Sequence, residues 1–369
     1  MKVSLFGPVT EDPMLSVHLH AEIVVRFLRM RGVDVEHVRF SRRKIALLPA
    51  SLAATANRFL LYPLHAARHR ARVNHIFDHF YSHLVFALGA SRTVISCNSM
   101  TMPKIARREL PLPPIPWRFR ATHALRYRAM LRARAVCVAT HAGRADVERI
   151  FRQPSSRLFV VNEGVDHDVF HPVQDAARLA AARRAHGLES VAEPITLVVG
   201  TPAGFKNRIT SLRVFTELIR RKVDTHLVFV GASLSPEESA LIHTPALRGR
   251  VTHLEFVTTA DLVCLYNIAS VMLFPSWDEG FGHPPLEAMA CGTPTVTSDI
   301  PVLLETTGDA ALHAPPGDVM KLADRAGELL GDAALRASFR TRGIARAGQY
   351  TWERYAREIA EVYQTVADA

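Results

Sequence analysis

Two glutamates, a lysine and a glycine turn carry the clearest chemistry in this sequence. In SWDEGFGHPPLEAMACG, Ser276 to Gly292, Glu279 stands just before a Gly280-Phe281-Gly282 turn. Glu287 lies one turn inside the Ala-rich helix that begins at Pro284. Proline suits a first helical turn, where its missing N–H and fixed φ cost nothing. The turn therefore presents amides such as those of Gly282 and His283 at the positive end of a helix, a place for a phosphate or another anion. Lys206, in a loop behind the apolar run Ile195 to Val199, adds a point charge for a phosphate. Glu287 can accept two hydrogen bonds from a vicinal diol such as a ribose, and Glu279 from the hydroxyls of whatever the diphosphate carries. The group so described is a nucleoside diphosphate attached to a sugar. Each residue taken singly has a plainer reading, Glu287 as a carboxylate favoured by the helix dipole and Lys206 as a solvated loop lysine. Their joint occurrence in the right elements favours the site.

Other chemistries fit less well. Paired carboxylates also suit glycoside hydrolysis, but a hydrolase has no use for a phosphate cradle. A GxxxxGK[ST] phosphate loop is absent from the sequence. The run His75 to Leu84, HIFDHFYSHL, offers His75, His79 and His83 at helical spacing as metal ligands. The Asp78-His79 pair at a strand end serves equally well for hydrogen bonding sugar hydroxyls. Metal is the weaker reading, and neither a metal nor a separate cofactor is expected.

A chain of 369 residues fits two domains of ordinary size, and 48% hydrophobic with 22% charged residues is a globular composition. Its net charge of +10 is unevenly spread: residues 1–170 carry +14 and the remainder −4. The first half thus favours an anionic surface or polyanionic partner, against the plainer reading of solvated Arg-rich helix faces. Nucleic acid is not expected, because no recognition motif accompanies the charge. Cys97, Cys137, Cys264 and Cys291 lack metal-ligand spacing and sit in apolar contexts, so they read as buried thiols in a reducing cytosol. No secretory signal is expected, and the apolar stretch Ile45 to Leu64 is too interrupted to span a membrane. With its flanking basic clusters it suits either a helix lying on an anionic bilayer or an amphipathic helix covering a sheet.

These residues need a scaffold, and the apolar periodicity supplies one. Strands are expected at Lys2 to Phe6, with Gly7-Pro8 turning out of it, and at Val33 to Phe40, Thr93 to Cys97, Ala135 to Ala139 and Leu158 to Val161. A second series follows at Ile195 to Val199, Leu227 to Val230, Val251 to Phe256, Val271 to Phe274, Thr295 to Thr297 and Ala311 to His313. Helical spacing marks Ser16 to Arg31, Ala121 to Arg134, a helix from Thr140 to Ile150, one from Ser211, and three closing helices at 319–330, 333–346 and 352–366. The expectation is an α/β protein with two Rossmann-like doubly wound domains facing across a cleft. The first is placed at 1–170 and the second at 171–350, with a C-terminal helix at 351–369 packing back toward the first.

EGFGHPPLEAMACGTPTV followed by SDIPVLLETTGDAAL resembles the signature of the family 4 glycosyltransferases, whose fold is GT-B. VGTPAGFKN, Val199 to Asn207, is similar to that family's loop, with Phe205 where arginine is usual. VNEGVDHDVF resembles its interdomain segment, TWERYAREIAEVY its closing helix, and YPLHAARHRARVNHIFDHFYSHL a branch acting in cell-surface polysaccharide synthesis. The resemblance implies a retaining hexosyltransferase. Its nucleotide-sugar site would comprise Gly200, Thr201, Lys206, Asn207, Gly280, Phe281, Gly282, His283 and Glu287, with Glu287 on the ribose, Lys206 on the diphosphate and Glu279 on the sugar. It further implies front-face chemistry without metal, in which the leaving phosphate takes the acceptor proton.

The donor would be GDP- or UDP-linked, with a lean to GDP-mannose. The acceptor would be a lipid-linked glycan or polysaccharide received by the first domain, and the location cytoplasmic, peripheral on the inner face of the membrane. One departure stands out. Where many relatives read Cys-His-Asp, this chain has Cys97-Asn98-Ser99. Asn98, the third catalytic candidate with Glu279 and Lys206, can exchange hydrogen bonds but cannot carry a positive charge. His18, His79 and His83 are the candidates to compensate near sugar or acceptor. The alternative is a catalytically impaired relative that binds a sugar nucleotide or glycan.

Overall fold

The computed structural model describes all residues except 13–14, 46–48 and 193, with the backbone alone at 15, 118 and 155. The stretch Ile45 to Leu64 therefore falls partly outside the described residues. The chain divides into two compact units. One comprises Met1–Glu109, Pro113–Gly164 and Trp352–Ala369, the other Leu110–Leu112 and Val165–Thr351. The division at Gly164 precedes the expected one at 170, because Val165 donates to the Tyr350 carbonyl and bridges to Thr351.

The first unit is a six-stranded parallel sheet of β1 (Lys2–Val9), β2 (Asp34–Phe40), β3 (Val73–Ile76), β4 (Thr93–Cys97), β5 (Ala135–Val138) and β6 (Leu158–Val160). Their spatial order is β2-β1-β3-β4-β5-β6. Strand β1 runs on past the expected turn. Gly7-Pro8 is a register irregularity inside it, where proline has no N–H for the ladder. Strand β3 takes in the first two residues of HIFDHFYSHL, so His75 is a strand residue and does not share a helical face with His79 and His83. Instead His75 is buried between the Tyr363 hydroxyl at 2.6 Å and the Ser96 hydroxyl at 2.8 Å, which corrects the metal-ligand reading.

Both faces of this sheet are covered, as parallel sheets require. Tyr62, Tyr81, Tyr127 and Met130 pack on one face. On the other, helix Leu15–Met30 lies beside Trp352, Tyr355, Ile359 and Tyr363 of helix Trp352–Ala367. Helix Trp117–Met130 begins four residues before the expected start, behind Pro116.

The second unit repeats the plan with β7 (Ile195–Val199), β8 (His226–Val230), β9 (Val251–Leu254), β10 (Val271–Phe274), β11 (Thr295–Ser298) and β12 (Leu312–Ala314). Their order, β12-β11-β10-β7-β8-β9, is the doubly wound one in which the winding reverses between β7 and β10. Strands β10 and β11 are buried throughout, which is why they read as unbroken apolar or Thr-rich runs. Two apolar clusters cover the faces, one around Phe215, Phe229 and Leu329, the other around Tyr266, Met272 and Leu303. The architecture is thus two Rossmann-like α/β domains. The four cysteines are buried free thiols. Among the described residues no helix is long and apolar enough to cross a membrane.

Candidate functional site

In an open α/β sheet, ligands bind outside the carboxyl ends of the strands where the winding reverses. In the second sheet that point lies between β7 and β10, which pair directly. The loop after β7 carries Gly200, Thr201, Lys206 and Asn207; the loop after β10 carries Glu279, Gly280, Phe281 and Gly282. Topology alone therefore brings the donor candidates of this unit to one edge.

Side chains and backbone stitch the two loops together. Lys206 Nζ donates to both carboxylate oxygens of Glu279, at 2.8 and 2.9 Å, with the side chains only 15% and 7% exposed. The same ammonium sits 5.1 Å from the Phe274 ring centre and 5.4 Å from that of Phe205. Aromatic faces thus hold the charge that an arginine at 205 would otherwise have joined. The Trp277 amide donates to the Phe205 carbonyl at 2.8 Å. Lys206 has three donors, and two directed at Glu279 leave one for a ligand.

Asn207 turns out to be a clamp. It takes φ 52°, and its side-chain amide donates to the carbonyls of Pro275 (2.8 Å) and Pro316 (2.7 Å). Both N–H groups are spent inside the protein, so Asn207 shapes the loop and its amide does not reach a ligand. Arg208 likewise does not stand in for the missing arginine. It is buried on Glu238 through Nε at 3.0 Å and Nη2 at 3.1 Å and reaches the Ala232 carbonyl.

Helix His283–Cys291 starts from Gly282, whose φ of 95° only glycine adopts comfortably. A Cβ there would also stand 2.6 Å from Leu303. Phe281 points into the unit, against His283 and Tyr350, so its ring anchors the turn while the helix presents its first amides. Glu287 accepts from the Tyr266 hydroxyl at 3.0 Å. Burial pushes its carboxyl above the ordinary range, against the pull of the nearby His283 and Lys206 charges. A carboxyl so held gains from further donors, as a pair of ribose hydroxyls would provide. Sequence reasoning missed Tyr266, which lies 21 residues away on another helix.

The candidates of the first unit are placed differently. Asn98 Nδ2 donates to the Phe77 carbonyl and to Asp78, both at 3.3 Å. Asp78 is buried at the end of β3, and its carboxyl is raised to about 7 by that burial, against hydrogen bonds from the Phe80 amide and Asn98. His79 and His83 are interior, not acceptor-facing. His79 Nε2 meets the Tyr127 hydroxyl at 3.2 Å, and His83 Nε2 donates to the Arg58 carbonyl at 2.8 Å. Burial lowers His79 to about 3 and His83 to about 4, so both are neutral at physiological pH. Neither supplies the positive charge that Asn98 lacks. His18 is partly buried and donates through Nε2 to the Asp12 carbonyl at 3.3 Å.

A second cluster at this edge was not legible in the sequence. The Asp12 carboxylate accepts from Arg42, Arg58 and Tyr81. Burial pushes the Asp12 carboxyl up, but the hydrogen bonds of Tyr81 and Arg42 and the charge of Arg58 outweigh it, and its pKa lies below the ordinary 3.8. A lowered carboxyl contributes stability that is fully present above its unfolded pKa and is lost as pH falls through the folded one. Asp12→Asn should therefore destabilise the protein at neutral pH and flatten the loss of stability on acidification below about pH 4. Urea denaturation of both proteins across that range checks it; parallel pH curves would refute the assignment.

Residues 182–346, most of the second unit, match the family described as glycosyl transferases group 1. The likeness to that family lies wholly within the second unit. The O-antigen chain mannosyltransferase B of Escherichia coli is 27% identical over 235 residues, 63% of this chain and 61% of that protein. The match thus spans about three-fifths of that relative. Among solved structures, the fold is similar to that of sucrose-phosphate synthase from Thermosynechococcus elongatus, with a TM-score of 0.77 at 19% identity over 99% of this chain and 98% of the other. It is equally similar to that of Anabaena HepE, solved with UDP and glucose, with a TM-score of 0.76 at 16% identity over 99% and 100%. The group 1 match covers the loops of Lys206 and Glu279 together with the helix of Glu287, and the structural likeness extends over both units.

Proposed function

We propose that this protein is a retaining glycosyltransferase that moves a hexose, with mannose as the leading candidate, from a nucleoside-diphosphate sugar to a lipid-linked or polysaccharide acceptor in cell-surface glycan synthesis. The observation that carries the reading is the gathering of Lys206, Glu279, Glu287 and the Gly282 helix start at the switch point of the second sheet. The ribose hydroxyls donate to Glu287. The diphosphate takes the helix amides and the remaining Lys206 donor, and the sugar hydroxyls donate to Glu279. As the bond to the sugar breaks, negative charge grows on the leaving diphosphate, where those donors are already aimed. The leaving phosphate accepts the proton of the incoming hydroxyl on the same face, so no separate nucleophile is required. The mannosyltransferase relative supports the lean to mannose, and GDP-mannose is the first donor to test.

The first unit receives the acceptor. Its segment 50–68 exposes Leu52, Leu60 and Leu64 beside basic residues, which supports peripheral contact with an anionic inner membrane face. A thermal-shift panel of nucleotide sugars is the direct test of the donor. A true donor at a hundred times its Kd should stabilise the protein by about 2.7 kcal/mol, while non-cognate sugar nucleotides give less. A flat response across GDP- and UDP-sugars would refute the reading.

A further inference from the structure

Glu287 is half held by the protein and half left open. Its Oε2 accepts from the Tyr266 hydroxyl at 3.0 Å, and among the described residues no hydrogen bond reaches its Oε1. The residue is half-buried, and Oε1 keeps access to solvent. Tyr266, by contrast, is fixed along its whole length. It is fully buried on helix Thr259–Ile268, with its ring edge-on to Phe170 and its carbonyl held by the Thr293 hydroxyl. Burial and the neighbouring carboxylate keep its phenol protonated far above neutral pH, so the hydroxyl is always a donor.

A core that needed only an acceptor for this hydroxyl would be served by glutamine, whose amide oxygen accepts without a charge to desolvate. The chain instead places a carboxylate there, at the switch point of the second sheet, while the Lys206 ammonium is paired with Glu279. An oriented carboxylate with one oxygen tied and the other open is suited to a ligand that brings hydroxyls.

We propose that Tyr266 is a positioning residue of the donor site, aiming the open oxygen of Glu287 at the ribose hydroxyls. Through that carboxylate the pair selects ribonucleoside over 2′-deoxyribonucleoside diphosphates. The proposal rests on the reading of this edge as a nucleoside-diphosphate-sugar site. When the 2′-hydroxyl is absent, the carboxylate loses one donor and is left dehydrated without a replacement.

The phenol also keeps the carboxyl in its accepting form. Burial pushes Glu287 up, against the His283 charge, the Tyr266 hydrogen bond and the Lys206 charge. Cys291 on the same helix also faces it, and Arg340 of helix Ala333–Ala347 is turned to the Gly292 carbonyl at 3.3 Å. Among the described residues β10, β11 and helix Pro301–Thr307 add no charge to these. Removing the Tyr266 hydroxyl therefore raises Glu287 further. As pH falls, the protonated carboxyl stops accepting, and in Tyr266→Phe that loss arrives at higher pH.

Calorimetric titration of GDP against 2′-deoxy-GDP, and of UDP against 2′-deoxy-UDP, into the full chain tests this. For the base that binds, the wild type should prefer the ribonucleotide by about tenfold or more. Tyr266→Phe should cut that preference by about threefold or more at about pH 8, and by more at about pH 6. The ratio cancels the titration of the diphosphate, which both nucleotides share. Glu287→Gln keeps an acceptor for Tyr266, so it should melt at the wild-type temperature or above while losing most of the preference. A wild-type preference left intact by Tyr266→Phe at both pH values overturns the positioning role alone, and so does a lower melting temperature with the preference intact. Equal affinity for the two nucleotides in the wild type overturns the selection. No nucleotide binding in the wild type overturns the donor-site reading itself.

Discussion

Lys206→Ala should reduce sugar transfer by about a hundred- to a thousandfold, the range seen when one preorganised donor to a developing negative charge is removed. The lysine has two tasks, and alanine ends both. It aims a cation at the diphosphate, and it holds Glu279 through two hydrogen bonds of 2.8 and 2.9 Å. Without it the glutamate is left nearly buried with no counter-charge, so its carboxylate turns toward water or takes up a proton. Both kcat and nucleotide-sugar affinity should fall. Glu287→Ala should act differently. It removes hydrogen bonds to a part of the donor that does not react, so KM should rise more than kcat falls. Calorimetry and steady-state kinetics on the two variants distinguish these patterns. Unchanged donor affinity in both would remove the site from this edge of the sheet.

Gly231→Ala should be among the most damaging single substitutions in the second unit, costing about 3 kcal/mol or more of stability. Gly231 takes φ 146°, and a Cβ there would stand 2.0 Å from the Gly200 carbonyl oxygen. The obstruction is backbone, so relief requires the ends of β7 and β8 to move apart. Gly200 begins the loop that carries Lys206, and its amide bonds to the Val230 carbonyl at 3.0 Å. The same displacement should therefore also weaken nucleotide-sugar binding in whatever protein remains folded. Urea denaturation with a donor titration on the folded fraction checks both effects. A loss below about 1 kcal/mol would show that the strands yield more easily than their pairing suggests.

The scaffold was largely legible because apolar runs in a parallel sheet are continuous and their turns are marked by glycine and proline. Every strand of the second unit was expected near its observed place, and β10 followed by the Gly280-Phe281-Gly282 turn gave the helix start directly. Strand β3 was obscured because its four buried residues include Asn74 and His75, polar groups satisfied by the Ala71 backbone and, far away in sequence, by Tyr363. Strand β1 ran through Gly7-Pro8 because a proline inside an irregularity gives up a ladder bond without ending the strand.

Site residues were legible where local geometry decides their role, as for Glu287 one turn inside a helix. They were not legible where a tertiary partner decides it. Asn207 looked like a ligand-loop residue until its amide was found on two proline carbonyls, and His79 and His83 looked available until burial placed them inside. Asp12, Arg42, Arg58 and Tyr81 are scattered over 70 residues, and nothing short of the fold collects them.

Helix Trp352–Ala367 belongs to the unit whose strands are made first, and that has a bearing on the order of assembly. Tyr363 reaches His75 across 288 residues, and Trp352, Tyr355 and Ile359 close one face of the first sheet. A ribosome therefore releases a first sheet with one apolar face only partly covered, by helix Leu15–Met30, then most of the second unit, and only afterwards the piece that completes the first. All of the second unit but Leu110–Leu112 is one contiguous segment that can fold locally while the first unit waits, open to wrong partners, for its lid of aromatic residues. The connectivity lets the middle of the chain complete its fold before its beginning does.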